Sequence, residues 1–97
     1  MSASPDPAPL DPALRTVIVE WLDDNYHFGD ADSLITDNEM SFLHNGILDS
    51  LGFVQLILFI EERLTLRVDR GDLSPDNFDG MGKMVRYLVA HPDYRGV

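Results

Sequence analysis

The fold is decided by the stretch Asn45-Gly46-Ile47-Leu48-Asp49-Ser50-Leu51-Gly52 and by the largely apolar run 53–60 that follows it. A glycine-containing turn delivers Asp49 and Ser50, two favourable N-cap residues, to the start of a helix that we expect to continue to about Leu64. Backbone N–H groups at a helix N-terminus are unpaired and favour a phosphate group. Ser50 is therefore either a helix cap or a site at which a phosphate-bearing group can be attached.

The helix that begins at Ser50 has too many apolar residues for one face. At about 100° per residue, one group falls within a single sector and is assigned to the core: Phe53, Leu56, Ile57, Ile60 and Leu64. A second group lies on nearly the opposite side and forms what we call the second stripe: Leu51, Val54 and Leu58. The polar residues that flank this stripe are Gln55, Glu61 and Glu62. The stripe is either covered by the preceding loop or exposed as a docking surface beside Ser50.

Three other segments carry helix start signals. Asp11-Pro12 begins a helix that we expect to run to about Asn25. Ser74-Pro75 begins a short helix, and a last helix opens at Asp79-Gly80 and stops before His91-Pro92. These signals predict three main helices and one short helix.

The segment 26–45 shows no sustained periodicity and is interpreted as a long ordered loop. A loop of that length has to pack by its own side chains or serve a function. The apolar residues available for this packing are Phe28, Leu34, Ile35, Met40, Phe42 and Leu43. The sequence thus predicts an all-α fold, a small bundle of three main helices plus one short helix, with a long loop between helices one and two.

The length of 97 residues allows one domain with one core. We assign that domain to residues 11–92. Residues 1–10 are rich in proline, serine and alanine and are expected to form a flexible N-terminal tail. Residues 93–97 are expected to form a frayed C-terminal tail.

The charge is strongly acidic, with 17 acidic against 7 basic residues and a net charge of −10. A nucleic-acid-binding protein would carry a basic stripe, so we expect no nucleic-acid partner. An acidic surface instead suits basic patches on protein partners. The N-terminus lacks the features of a signal peptide, and no stretch reaches membrane-spanning length. We therefore expect a cytoplasmic acidic protein, monomeric and without a membrane partner.

Signals for an enzyme or a metal site are weak. The chain has no cysteine, and none of the three histidines has the spacing of a helix-borne metal or catalytic pair. Ser50 does not lie in the Gly-x-Ser-x-Gly elbow of a hydrolase. The clustered carboxylates at 30–32 and 69–72 do not continue into a calcium-binding EF-hand loop. We expect no catalytic residue and no metal ligand.

Three strings together resemble an acyl carrier protein: the segment 46–52 around Asp-Ser50-Leu, the helix end 59–64, and the segment 73–78. The resemblance extends over roughly residues 12–91. In that family the serine of the Asp-Ser-Leu motif carries a covalent 4′-phosphopantetheine arm, and the matching residue here is Ser50. The resemblance also implies that Asp49 supports the enzyme that attaches the arm. Acyl carrier proteins have a long loop between their first two helices, as expected here.

The resemblance implies a carrier, not an enzyme, that holds an acyl or aminoacyl group as a thioester and presents it to other proteins. Its implied partners are a phosphopantetheinyl transferase, an acyl- or amino-acid-activating ligase, and a downstream acyltransferase or condensing enzyme. The surface that would bind them comprises the second stripe and its flanks: Leu51, Val54, Gln55, Leu58, Glu61 and Glu62.

The chain departs from fatty-acid carriers in one respect. Those carriers usually have acidic residues directly after the Ser-Leu pair and along the second helix, whereas segment 51–60 contains no charge. Electrostatic docking to fatty-acid synthase enzymes is therefore not expected. The strings at 46–52 and 74–78 themselves resemble more closely the free-standing carriers of amino-acid-activating or specialised-metabolite pathways. The alternative is an unmodified helical adaptor that binds a partner through the stripe Leu51, Val54 and Leu58, for which Asp-Ser at the helix start is not required.

Overall fold

The structure, a computed structural model, describes residues 11–27 and 29–97. Its α-helices are α1 (Pro12–Leu22), α2 (Ala31–Leu34), α3 (Ser50–Leu64), α4 (Pro75–Phe78) and α5 (Met81–Val89). A π-helical turn, Asp23–His27, follows α1, and a 3-10 turn, Arg70–Asp72, precedes α4. Within the described ranges there is no β-strand. The predicted all-α fold with three main helices is confirmed, and the predicted tail 1–10 lies outside the described residues.

Helix α1 begins as its sequence predicts. The Asp11 carboxylate accepts hydrogen bonds from the backbone N–H groups of Ala13 (3.0 Å) and Leu14 (3.3 Å), and Pro12 occupies the first turn. Residues spaced by four along one face are fully buried: Leu14, Ile18 and Leu22. The α-helix ends at Leu22 and the helical path continues to His27 as the π-helical turn, so the predicted end at about Asn25 lies within that turn.

The long loop between α1 and α3 contains α2. The Asp23 carboxylate accepts a hydrogen bond from the Ala31 N–H at 2.8 Å, which ties the start of α2 to the end of α1. Ala31 and Ile35 are buried on one face, whereas Leu34 is exposed, so its predicted packing role is wrong. Phe42 is fully buried, as predicted. The Phe28 packing role lies outside the described part of the chain.

The second half of this loop is fastened to the start of α5. The Gly82 N–H donates to the Asn38 carbonyl at 2.7 Å. Gly80 has a φ of +152°, and a Cβ added there would lie 2.8 Å from the Met40 carbonyl oxygen, so this position requires glycine. The buried Asp79 carboxylate accepts from the Leu43 N–H at 2.9 Å. The loop is thereby held along its length up to the turn that leads into α3.

Two side-chain interactions complete this attachment. The Arg86 guanidinium donates to both carboxylate oxygens of Glu39, at 2.8 and 2.7 Å, and these hydrogen bonds hold the pKa of Glu39 below its ordinary value. The Ser41 hydroxyl donates to the Asp79 carboxylate and accepts from the His44 N–H. The loop is ordered by α5 as well as by its own apolar residues.

Helix α3 provides the centre of the core. The five residues assigned to its core face are all buried, and α3 ends at Leu64, where Thr65 adopts a left-handed conformation with φ of 55°. The predicted face of α5 is also buried: Met81, Met84, Val85 and Leu88. The predicted short helix is α4, and its Phe78 is fully buried. The core is therefore formed mainly by one face each of α1, α3 and α5.

The C-terminal segment 93–97 makes contacts that the expectation of a frayed tail does not include. The Tyr94 hydroxyl donates to the Asp11 carboxylate at 2.7 Å, across 83 positions of sequence. Burial together with this bond raises the pKa of Tyr94 to about 12, and the same bond lowers the pKa of Asp11. The Arg63 guanidinium donates to the Val97 carbonyl at 3.1 Å. These contacts tie the end of the chain to α1 and α3.

None of the helices in the described ranges combines the length and the apolar character that crossing a membrane requires.

Candidate functional site

Ser50 is the first residue of α3, and its neighbour Asp49 is the N-cap. The Asp49 carboxylate accepts a hydrogen bond from the Gly52 N–H at 2.7 Å. Ser50 is exposed, and its hydroxyl has no hydrogen-bond partner among the described residues. Because Asp49 supplies the cap, the helix start does not use the Ser50 hydroxyl, which stays accessible at the positive end of a 15-residue helix.

The second stripe of α3 is exposed. The exposed fractions are 65% for Leu51, 52% for Val54 and 58% for Leu58. The described part of the long loop therefore does not cover these side chains. An apolar stripe next to Ser50 is exposed to solvent along two turns of the helix.

One flank of the stripe opens into a cleft of about 120 Å³. Its lining residues are Phe53, Val54, Ile57, Leu58, Glu61 and Leu73. Leu73 is itself exposed and extends the apolar surface from α3 to the segment that precedes α4. The Glu61 carboxylate accepts a hydrogen bond from the Val68 N–H at 2.7 Å, so it fixes the chain after α3. Glu61 thus has a structural contact at the edge of the surface where the sequence predicts partner binding.

The other flank of the stripe is polar and aromatic. The Tyr26 hydroxyl donates to the Gln55 side-chain oxygen at 2.8 Å. Trp21 lies behind Tyr26, with a centroid distance of 5.7 Å between their rings. Glu62 is exposed on α3. Gln55 is exposed as well, but its side chain is engaged by the turn that follows α1.

The histidines and carboxylates of the described residues are not grouped in a way that indicates a metal site. His44 is exposed, and the His91 ring accepts from the Asp93 N–H at 3.0 Å while its other nitrogen lies 2.8 Å from the Arg67 carbonyl. The His27 side chain lies outside the described structure. Within the described ranges no group of three or more histidine, aspartate or glutamate side chains is placed to hold a metal ion.

Sequence reasoning missed two residues next to this site, Tyr26 and Leu73. Tyr26 lies 29 positions before Gln55, and no local periodicity relates the two. Leu73 precedes a short helix and belongs to no amphipathic pattern. The one sequence signal for the contact with Tyr26 is Gly52, because a glycine inside a helix commonly marks a close approach of another group.

Comparison with known proteins adds no relative: no family model matches the chain, and no significant match is found among curated proteins or solved structures. The resemblance to acyl carrier proteins therefore rests on the residues quoted from this sequence.

Proposed function

We propose that this protein is a carrier whose Ser50 bears a 4′-phosphopantetheine arm. The observation that carries the proposal is the accessible Ser50 hydroxyl at the start of α3, within Asp-Ser-Leu and beside an exposed apolar stripe. Attachment joins the Ser50 oxygen to the phosphopantetheine half of coenzyme A and releases the nucleotide half, so a phosphodiester forms at the helix N-terminus. The helix dipole and the first-turn N–H groups favour a phosphate at that position.

The residues around Ser50 fit such a group. No described residue makes a hydrogen bond with the Ser50 hydroxyl, and Asp49 caps the first turn without it. The chain contains no cysteine, so a thiol has to come from an attached group. The arm supplies that thiol, on which an acyl or aminoacyl group is held as a thioester.

The protein itself performs no chemical step in this proposal. It tethers the cargo and raises its effective concentration at the active sites of partner enzymes. Those partners are a phosphopantetheinyl transferase, an acyl- or amino-acid-activating ligase, and an acyltransferase or condensing enzyme. They dock on the stripe Leu51, Val54 and Leu58, and the carrier works as a cytoplasmic monomer.

The charges that can steer such partners lie outside the start of α3. Segment 51–60 is uncharged, whereas the chain between Arg15 and Arg63 contains ten acidic residues and no lysine or arginine. Eight of these ten are on α1, on the turn after it, on the long loop, or at Asp49. Partners are therefore attracted by long-range charge and held by an apolar contact. Association should slow as salt rises, while the contact with the stripe persists.

The proposal is tested by the intact mass of the protein after incubation with a broad-specificity phosphopantetheinyl transferase, Mg²⁺ and coenzyme A. The parent is expected to gain one phosphopantetheinyl group and Ser50→Ala none. Because Asp49 is the cap, Ser50→Ala should change the free energy of unfolding by no more than about 0.5 kcal/mol. Ser33→Ala, at an exposed serine of α2, is the matched control and should be modified like the parent.

The alternative function is an unmodified adaptor that uses the same stripe. The exposure of Leu51, Val54 and Leu58 supports it as well. A parent that stays folded and gains no mass would favour the adaptor. In the carrier, Leu58→Glu should impair transfer to partner enzymes without unfolding the domain.

A further inference from the structure

Tyr26 covers the first turn of α3, close to Ser50. Its ring lies directly against Gly52: a Cβ added at position 52 would be 3.0 Å from the Tyr26 hydroxyl oxygen and 3.1 Å from Cζ. Its hydroxyl reaches one turn further and donates to the Gln55 side-chain oxygen at 2.8 Å. Tyr26 therefore contacts both the first and the second turn of the helix that begins at Ser50.

Tyr26 is held in this position from behind. It belongs to the π-helical turn that continues α1, and its ring lies 5.7 Å from the ring of Trp21. Trp21 in turn stacks on Phe59 of α3, with 5.9 Å between ring centroids. The three aromatic residues form a row along one flank of α3. Tyr26 is consequently held between Trp21 on one side and Gly52 of α3 on the other.

Two independent contacts meet at Gly52. Its N–H donates to the Asp49 carboxylate at 2.7 Å, and its α-carbon is covered by the Tyr26 ring. Helix ends fray more readily than helix centres, and a frayed first turn would carry Ser50 with it. The contacts at Gly52 oppose that fraying, because the Asp49 carboxylate caps the turn at its N-terminal end and the Tyr26 ring packs against its side.

We propose that Tyr26 is a positioning residue for the chemistry at Ser50. Through Gln55 and Gly52 it keeps the first turn of α3 helical, so that a modifying enzyme meets the Ser50 hydroxyl in one orientation. This inference rests on the proposed attachment of phosphopantetheine to Ser50. It assigns a role to the turn after α1, which the motif around Ser50 does not include.

The test is steady-state transfer of phosphopantetheine from coenzyme A to the whole chain by a broad-specificity transferase, followed by intact mass. Tyr26→Phe keeps the ring and removes the hydroxyl, and Gln55→Met removes the acceptor at similar size. Each is expected to lower kcat about 2- to 10-fold, the range for loss of one hydrogen bond. Tyr26→Phe should leave KM for the carrier unchanged, because Tyr26 lies outside the predicted partner-binding surface. Gln55→Glu keeps an acceptor for the Tyr26 hydroxyl, so its kcat should be higher than that of Gln55→Met.

Two controls separate positioning from docking and from general stability. Leu58→Ala lies on the exposed stripe and should raise KM while kcat stays at the parent value. Amide hydrogen exchange of Tyr26→Phe should be faster at Gly52 and Phe53 and unchanged in α5. The double variant Tyr26→Phe/Gln55→Met should lose less than the product of the two single losses in kcat, because both variants remove the same hydrogen bond.

Three results would overturn the inference. An unchanged kcat in Tyr26→Phe, with the parent modified, removes the positioning role and leaves the carrier proposal intact. Faster exchange throughout the protein reduces Tyr26 to a residue of general stability. A folded parent that gains no mass removes the carrier proposal, and the role of Tyr26 with it.

Discussion

The two faces of α3 consist of similar residues in opposite surroundings. Leu56 is fully buried in the core, whereas Leu58, two positions later, has more than half of its surface exposed. Burial in the hydrophobic core, where α3 packs against α1, explains why the first face is apolar. No packing within the described residues explains the second, on which exposed apolar side chains gain nothing from the fold. The difference supports our proposal that α3 serves both the core and, through its second stripe, a surface for another molecule.

The border between the two faces is defined by what each side chain contacts. Glu61 and Glu62 are adjacent residues of the same type, but Glu61 accepts a hydrogen bond from the Val68 N–H, whereas Glu62 is exposed. On the other side, Gln55 is engaged by Tyr26. Glu61 and Gln55 thus each have a contact within the domain, and the exposed apolar surface extends toward Leu73.

The largest expected contrast between the faces is in stability. Leu56→Ala should lower the free energy of unfolding by about 2–5 kcal/mol because it leaves a cavity in a packed core. Leu58→Ala should change it by no more than about 0.5 kcal/mol, since the side chain is exposed. Urea unfolding followed by the fluorescence of Trp21 measures both. Equal losses would mean that the stripe is packed in solution and would remove the docking surface.

A smaller contrast is expected at the border. Glu61→Ala leaves the Val68 N–H without its acceptor and should cost about 1–3 kcal/mol. Glu62→Ala should have an effect of no more than about 0.5 kcal/mol. The same unfolding experiment compares the two. A larger loss of stability for Glu62→Ala than for Glu61→Ala would contradict the assignment of Glu61 to the packed side of α3 and of Glu62 to the exposed side.

The smallest expected effect is a loss of stability at alkaline pH, caused by a tyrosine that is packed in the domain. Burial, together with a hydrogen bond to Asp72 at 2.7 Å, raises the pKa of Tyr87 to about 12. Between pH 10 and 12 an unfolded tyrosine loses its proton while the folded one keeps it, so stability falls as pH rises. Urea midpoints at pH 9 and 11 measure this loss.

Two variants test whether Tyr87 causes this loss of stability. Tyr87→Phe should weaken the decline but not abolish it, because the Tyr94 hydroxyl, whose pKa is also raised to about 12, remains. Leu58→Ala should show the parent decline, since the exposed stripe does not contribute to it. A decline that is the same in Tyr87→Phe as in the parent would assign it to other groups.

Local sequence pattern predicted the buried face of α3. Periodicity near 100° per residue separated this face from the second stripe, because residues on one helix are related by its own geometry. It left open whether the stripe is exposed, which the structure shows. Leu34 was placed wrongly because a four-residue helix turns Ala31 and Ile35 to the core and leaves Leu34 outside. No pattern of apolar residues could indicate that.

The contacts that sequence reasoning missed join distant positions. Tyr26 and Gln55 are 29 residues apart, and Asp11 and Tyr94 are 83 apart. Their pairing depends on how the helices pack, which periodicity along one helix does not encode. The attachment of the long loop to α5 through the Gly82 N–H uses backbone groups, and these leave no side-chain signature.

The most direct test of the account is the location of the added group after incubation with transferase, Mg²⁺ and coenzyme A, determined by mass spectrometry of proteolytic peptides. One phosphopantetheinyl group is expected on Ser50, in the parent and in Leu58→Ala at high carrier concentration. A group on another serine, such as Ser33 or Ser74, or no group on the folded parent, would contradict it.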